Sequence, residues 1–237
     1  MQALASYTQL IEKEIDRLDF PNKPSNLYDP LRYFMKLGGK RMRPILTLLG
    51  AELFGEHKEN ALPAALAVEV FHNFTLVHDD IMDAAPLRRN QPTVHTKWNQ
   101  SIAILSGDVL FVKAYQLLAK QTPDQLPDFL ELFNRTAIEV CEGQQMDMDF
   151  EERTDVRIAE YIEMIRLKTS VLLGCALEFG AIAGDASSKD RKAIYNFGQH
   201  SDELWQDYLD QLEKQGLSRD VDTTSRPAAG KSCGQHH

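Results

Sequence analysis

Asp79 and Asp83 stand four residues apart in the run HDDIMDAAPLRR, so on a helix their carboxylates share one face, with Asp80 beside them. Like charges at that spacing repel. The arrangement makes sense when a cation sits between them. Carboxylate oxygens suit Mg²⁺, which takes one or two protein carboxylates and completes its shell with water and substrate phosphates. A solvated acidic helix face gives the same pattern. Here, however, the helix is apolar on its other faces from Ala64 to Ile81, and an acidic end on a buried helix needs a cleft to face. Arg88 and Arg89 follow within reach. A guanidinium fork pairs with phosphate oxygens through two parallel bonds, and it neutralises aspartates equally well as an ordinary salt bridge.

The run GGKRMRP, residues 38–44, places Lys40, Arg41 and Arg43 in a loop opened by two glycines. Three cations in four residues of an acidic protein form a local anion site, or else a solvated basic turn. In LKTS, Lys168 and Thr169 stand in an otherwise apolar helix, where the lysine either snorkels to the surface or meets a phosphate. In EGQQMDMDFE, Gln144 and Asp147 share a helix face, and Gly143 permits close approach of another backbone. Glu69 and His72 form one Glu-x-x-His pair. A di-iron carboxylate bundle needs that pair twice with two further glutamates, and the sequence holds no second one. His72 alone also reads as a hydrogen-bonded core residue.

The elements that must position these groups are helices. Apolar residues recur at helical spacing from Leu4 to Leu18, where Pro21 and Pro24 end the first helix. Further helices are predicted from about Asp29 to Gly38, from Pro44, from near Pro63 to Met82, over 100–119, from Pro127 to Asp149, over 155–183, and from near Ser188. No stretch alternates with period two and no Asn-Gly or Asp-Gly hairpin signal is present. The predicted fold class is all-α, a helical bundle. Residues 1–213 are expected to form one helical domain, and 214–237 a polar tail too poor in apolar residues to pack.

The chain of 237 residues carries 26 basic and 35 acidic side chains, a net −9. That disfavours nucleic acid and anionic membranes as partners. Its longer uncharged runs, such as Trp98 to Gly107, are far too short to span a bilayer, which predicts no membrane insertion. Cys141, Cys175 and Cys233 form no CxxC pair; two are expected in apolar helical surroundings. With no signal-peptide pattern at the start, a cytoplasmic location is expected.

Taken together, GGKRMRP, FHNFTLVHDDIMDAAPLRRNQPT, SGDVLF, EGQQMDMDFE and LKTS resemble, in order and spacing, the isoprenyl diphosphate synthases, the trans-prenyltransferases of the polyprenyl synthetase family. The resemblance covers about Met1 to His200 and implies a terpenoid-synthase-like bundle around a central cavity, a homodimer, and Mg²⁺. It implies condensation of isopentenyl diphosphate with an allylic diphosphate to a short or medium prenyl diphosphate. By that resemblance Asp79 and Asp83 hold the metal, and Arg88, Lys168 and Thr169 grip the allylic diphosphate. Lys40, Arg43, His72 and Arg89 hold isopentenyl diphosphate. Aromatic residues just before the Asp-rich motif set the cavity floor in the family, which points to Phe74 or Phe71, with the small Thr75 on the same path. The resemblance departs after residue 200. The family's second Asp-rich motif reads SDELWQDYLDQLEKQG here, with Gln206 at its first aspartate, and the family's C-terminal helices are missing. A catalytically incomplete homologue acting as a partner subunit is the alternative to an enzyme.

Overall fold

The computed structural model describes residues 2–55 and 58–200. In chain order its elements are α1 (Gln2–Asp16), α2 (Ser25–Met35), α3 (Met42–Phe54), α4 (Lys58–Met82), a hairpin of β1 (Leu87–Arg88) and β2 (Gln91–Pro92), and α5 (Val94–Lys97). There follow α6 (Gln100–Leu118), α7 (Leu126–Glu151), α8 (Ile158–Ile165), a π-helical turn (Arg166–Ser170) and α9 (Val171–Ala183). A last helix, α10, covers 188–200.

The axis of the bundle is α4, against which α6, α3 and α9 pack. Its Ala61, Ala64, Ala65, Ala67 and Val68 are fully buried; small side chains let three neighbours approach it at once. The core below is aromatic. Phe71, Phe129, Phe133 and Phe179 are fully buried, each contributing roughly 1.5–3 kcal/mol. The rings of Phe71 and Phe133 meet edge to face at 5.1 Å.

The all-α class holds, with four differences from the sequence expectation. First, α2 and α4 start several residues before Pro30 and Pro63, because a proline near a helix start forfeits few backbone bonds. Second, the long helix expected over 155–183 is broken by the π-helical turn at Arg166–Ser170. Third, Leu87 to Pro92 form a small antiparallel hairpin with Arg88 opposite Gln91. Its two turn residues, Arg89 (φ 51°) and Asn90 (φ 60°), both lie in the left-handed region, as a type I′ turn requires. Fourth, α6 is long and apolar enough by length and composition to cross a membrane, since Asp108 and Lys113 are its only two charges. Yet Ala103, Leu110, Ala114, Leu117 and Leu118 bury one side of it in the core. The expected polar tail and the altered second Asp-rich segment lie outside the described residues.

Candidate active site

Two adjoining cavities open beside the C-terminal half of α4. One, about 380 Å³, is lined by Gly39, Lys40, Arg41, Met42, Arg43, Glu69, His72 and Arg89. The other, about 410 Å³, runs from Asp79, Lys168 and Thr169 past Thr75, Leu76 and Gln144 to Phe74, Val140 and Leu172. Arg43 and His72 line both. Arg43 Nη1 lies 3.1 Å from His72 Nε2. A guanidinium only donates, so Nε2 accepts, and the neutral ring carries its proton on Nδ1. Burial, then the positive charges of Arg43, Arg89, Arg88 and Arg41, hold the His72 pKa well below its ordinary value.

The first cavity is built by backbone conformation. Gly38 (φ 77°), Gly39 (φ 152°) and Arg41 (φ 50°) turn the loop between α2 and α3 sharply. At Gly39 a Cβ would come within 2.9 Å of Arg89 Nη2, so glycine lets that guanidinium lie close against the loop. The hairpin supplies Arg89. Thr93 Oγ1 donates to Ala85 O at 2.8 Å and Tyr33 OH to Pro92 O at 2.7 Å, and both bonds pin its base. The four residues assigned to one diphosphate, Lys40, Arg43, His72 and Arg89, are therefore brought together. Arg41, read from sequence as a third loop cation at the anion site, is instead buried between Glu12 and Glu69. Glu69 is thereby engaged and also accepts from Asn73 Nδ2 at 3.2 Å. The di-iron reading of Glu69 and His72 fails on that pairing.

The mouth of the second cavity is an alternation of charges. Arg88 forks onto Asp80, with Nε 2.9 Å from both carboxylate oxygens and Nη2 2.8 Å from Oδ1, while Asp79 Oδ2 is 3.8 Å away. The salt-bridge alternative for Arg88 is the one realised, and Arg88 does not line either cavity. Lys168 Nζ donates to Asp147 Oδ2 at 2.6 Å and lies 3.4 Å from Asp79 Oδ1. Burial alone would lower the Lys168 pKa, but Asp79, Asp147 and Asp83 outweigh it and raise it. Asp83 is exposed and, unlike Asp79, does not line either cavity. Partial desolvation and then Asp79 push its carboxyl up to about 6. The repulsion inferred from the spacing is thus present.

The π-helical turn explains Lys168 and Thr169. A Cβ at Gly143 would collide with the Lys168 amide nitrogen, so α7 approaches the turn backbone to backbone. The extra residue of the π-turn rotates Lys168 and Thr169 into the cavity, a common use of such bulges. Asp147 and Asp80 were the residues whose parts sequence reasoning missed. The shared face of Gln144 and Asp147 was visible, but the partner 21 residues on was not. Gln144 Nε2 and Asp79 Oδ1 are buried, and neither has a hydrogen-bond partner among the described residues.

The floor is Phe74. It stacks on Phe111 at 5.0 Å and 20°, with His78 at 4.7 Å and Phe71 at 5.6 Å. Phe71 is fully buried behind it and does not line the cavity, which narrows the two candidates to one. Cys175 is buried as expected, whereas Cys141 is exposed along the second cavity.

The fold, the acid-mouthed apolar cavity and its cationic neighbour define a class. The polyprenyl synthetase family model matches residues 24–220, and the chain belongs to that family. A geranylgeranyl diphosphate synthase of Methanosarcina mazei is 44% identical over 191 residues, 80% of this chain and 59% of that protein. A crystal structure of a geranylgeranyl pyrophosphate synthase superposes with a TM-score of 0.86 at 47% identity, over 93% of this chain and 66% of the other. The structure of a geranylgeranyl pyrophosphate synthetase from the archaeon Geoglobus acetivorans gives 0.83 at 36% identity, over 95% and 81%. The chain therefore spans 59% of the length of its Methanosarcina relative and 66% of the first of these structures.

Proposed function

We propose that this chain condenses isopentenyl diphosphate with an allylic diphosphate, head to tail, to give a short prenyl diphosphate. The observation that carries the reading is the pair of cavities sharing Arg43 and His72. One offers cations to a diphosphate with a short tail. The other offers an acidic mouth over an apolar shaft closed by Phe74. Relatives named for geranylgeranyl products support the class of reaction.

Magnesium fits the mouth by donor chemistry: Asp79 and Asp83 share a helix face, and Asp79 Oδ1 is buried with no hydrogen bond, only the Lys168 ammonium 3.4 Å away. Asp80 and Asp147 are taken by Arg88 and Lys168. No cluster of three metal-capable side chains exists among the described residues, so water and substrate phosphate would complete the shell. Bound there, Mg²⁺ would neutralise the leaving diphosphate.

Lys168 and Thr169, which line this cavity, would donate to the allylic diphosphate, and Arg88 would turn from the aspartates toward it. Lys40, Arg43, Arg89 and the Nδ1–H of His72 would orient isopentenyl diphosphate. The allylic C–O bond breaks and diphosphate leaves with the electron pair. The isopentenyl double bond attacks the allylic carbon, and loss of one proton restores a double bond in the product. Leu76, Val140, Leu172 and Phe74 keep water from the cation. Exposed Ile104, Leu105 and Val112 on α6 and Ile138 on α7 support a homodimer.

The test is incubation of the chain with labelled isopentenyl diphosphate, an allylic diphosphate and Mg²⁺. A chelator-sensitive, chain-extended product is expected. Gln206 at the second Asp-rich segment favours a second reading, a partner subunit. In that case the chain alone gives no product but alters the output of a complete synthase mixed with it.

A further inference from the structure

We propose that Arg41 is a positioning residue for isopentenyl diphosphate, acting through a buried charge clamp made with Glu12 and Glu69. The proposal rests on the reading that the cavity of Lys40, Arg43, His72 and Arg89 takes that substrate.

Arg41 lies in the middle of the cationic loop but points away from any ligand. Its side chain has 0% exposure. Nε donates to Glu12 Oε1 of α1 at 2.7 Å, Nη1 to Glu69 Oε1 of α4 at 2.7 Å, and Nη2 to Met35 O at the end of α2 at 3.0 Å. One planar fork thus ties three helices to the loop, in a geometry lysine cannot copy. The left-handed backbone at Arg41, φ 50°, is what turns this side chain inward. Its neighbours Lys40 and Arg43 line the cavity.

The clamp also sets the charge of the cavity. Glu69 lines the same cavity as the substrate cations, and its side chain is 5% exposed. An unpaired carboxylate there would oppose a diphosphate. Arg41 holds it by a short charge-assisted bond, and Asn73 donates to the same oxygen. Arg41 is engaged by two carboxylates, so the cations that face this cavity are its other lining residues, Lys40, Arg43 and Arg89. The same bonds fix where Arg43 and Lys40 stand, since the loop has no slack between Arg41 and the start of α3 at Met42.

A residue that only held the fold together would weaken everything alike. A positioning residue weakens one substrate. The experiment is calorimetric titration of the 237-residue chain and its variants with isopentenyl diphosphate, and separately with dimethylallyl diphosphate and Mg²⁺. Arg41→Met should raise the dissociation constant for isopentenyl diphosphate on the order of tenfold, with the allylic constant held within about twofold. Arg41→Lys should recover part of the loss, by keeping the charge without the fork. Glu69→Gln, which removes the carboxylate charge but keeps the shape, should move isopentenyl affinity alone. If Arg41→Met does not fold, Arg41→Lys and the half-exposed Glu12→Gln carry the same comparison. Equal losses for both substrates, or a lower melting temperature with both affinities unchanged, would overturn the clamp as a positioning device. A wild-type chain that fails to bind isopentenyl diphosphate brings down the functional reading itself and the clamp with it. Binding by the wild type with unaffected variants brings down only the clamp.

Discussion

Replacing Phe74 by alanine removes the ring that closes the shaft. Phe74 and Phe71 are three residues apart on α4, so the next ring lies roughly 4.5 Å deeper at 1.5 Å per residue, close to the extended length of one five-carbon unit. The opened shaft should therefore accept one further unit before Phe71 stops it. The ring is partly buried, so the cost falls below the roughly 3–5 kcal/mol of a fully buried phenylalanine. Loss of the Phe111 stack adds ~0.5–1.5 kcal/mol. A total of about 2–3 kcal/mol corresponds to a melting temperature lower by roughly 4–12 °C, at about 2–4 °C per kcal/mol for a domain of this size. Phe71→Ala should behave oppositely. It loses the full roughly 3–5 kcal/mol, because the ring is wholly enclosed, yet leaves the floor in place. Product chromatography and titration with allylic diphosphates of increasing length read the same change, the second without turnover. The reasoning fails if folded Phe74→Ala keeps the parent product and chain-length preference, or if Phe71→Ala lengthens the product equally.

Other outcomes follow from the charges and from the backbone contact. Asp83 has its pKa raised to about 6 from 3.8, so the folded state holds its proton more tightly than the unfolded. The anion therefore destabilises the fold fully above pH 6 and not at all below about pH 4. Asp83→Asn should melt above the wild type at pH 7.5 in chelator, converge with it near pH 4, and lose any Mg²⁺-dependent turnover. The pKa of His72 is lowered well below 6.5, so the unfolded chain binds the extra proton and stability falls as pH drops below 6.5. Urea midpoints between pH 5 and 7.5 should show that slope, and His72→Gln should flatten it. Gly143→Ala drives a methyl into the Lys168 amide. Overpacking of roughly 1–3 kcal/mol is expected, together with weaker allylic diphosphate binding, both readable by melting and titration.

Much of the site was legible because it is written in local spacing. Asp79 and Asp83 share a helix face whatever surrounds them, and a Gly-Gly turn followed by basic residues makes an anion site in most settings. What stayed hidden depends on groups far apart in the chain or on backbone conformation. Arg41 has the side chain of a ligand, but its left-handed φ sends it inward, and residue type does not encode that. The break in the long helix at Arg166 requires Gly143 of α7 to press against it, a contact no periodicity reports. The hairpin escaped because Arg-Asn is an unusual pair for a tight turn. Cys141 looked like core because its neighbours are apolar, yet it sits on the side of α7 that faces the cavity.

The hairpin turn also constrains how this sequence can drift. Arg89 reaches the loop at Gly39 from a backbone at φ 51°, next to Asn90 at φ 60°. A mutation there must satisfy two unrelated requirements at once: a long cation at the tip, and tolerance of a left-handed main chain at the root. Lysine meets the first. Glycine and asparagine meet the second. Arginine and lysine pass both only at an energetic penalty, and β-branched residues pass neither. At Asn90, by contrast, only the main chain is selected, and glycine is an easy replacement. Two adjacent positions should therefore tolerate mutation very differently in a saturation library, with Arg89 nearly immovable and Asn90 free to exchange with glycine, although they share one turn.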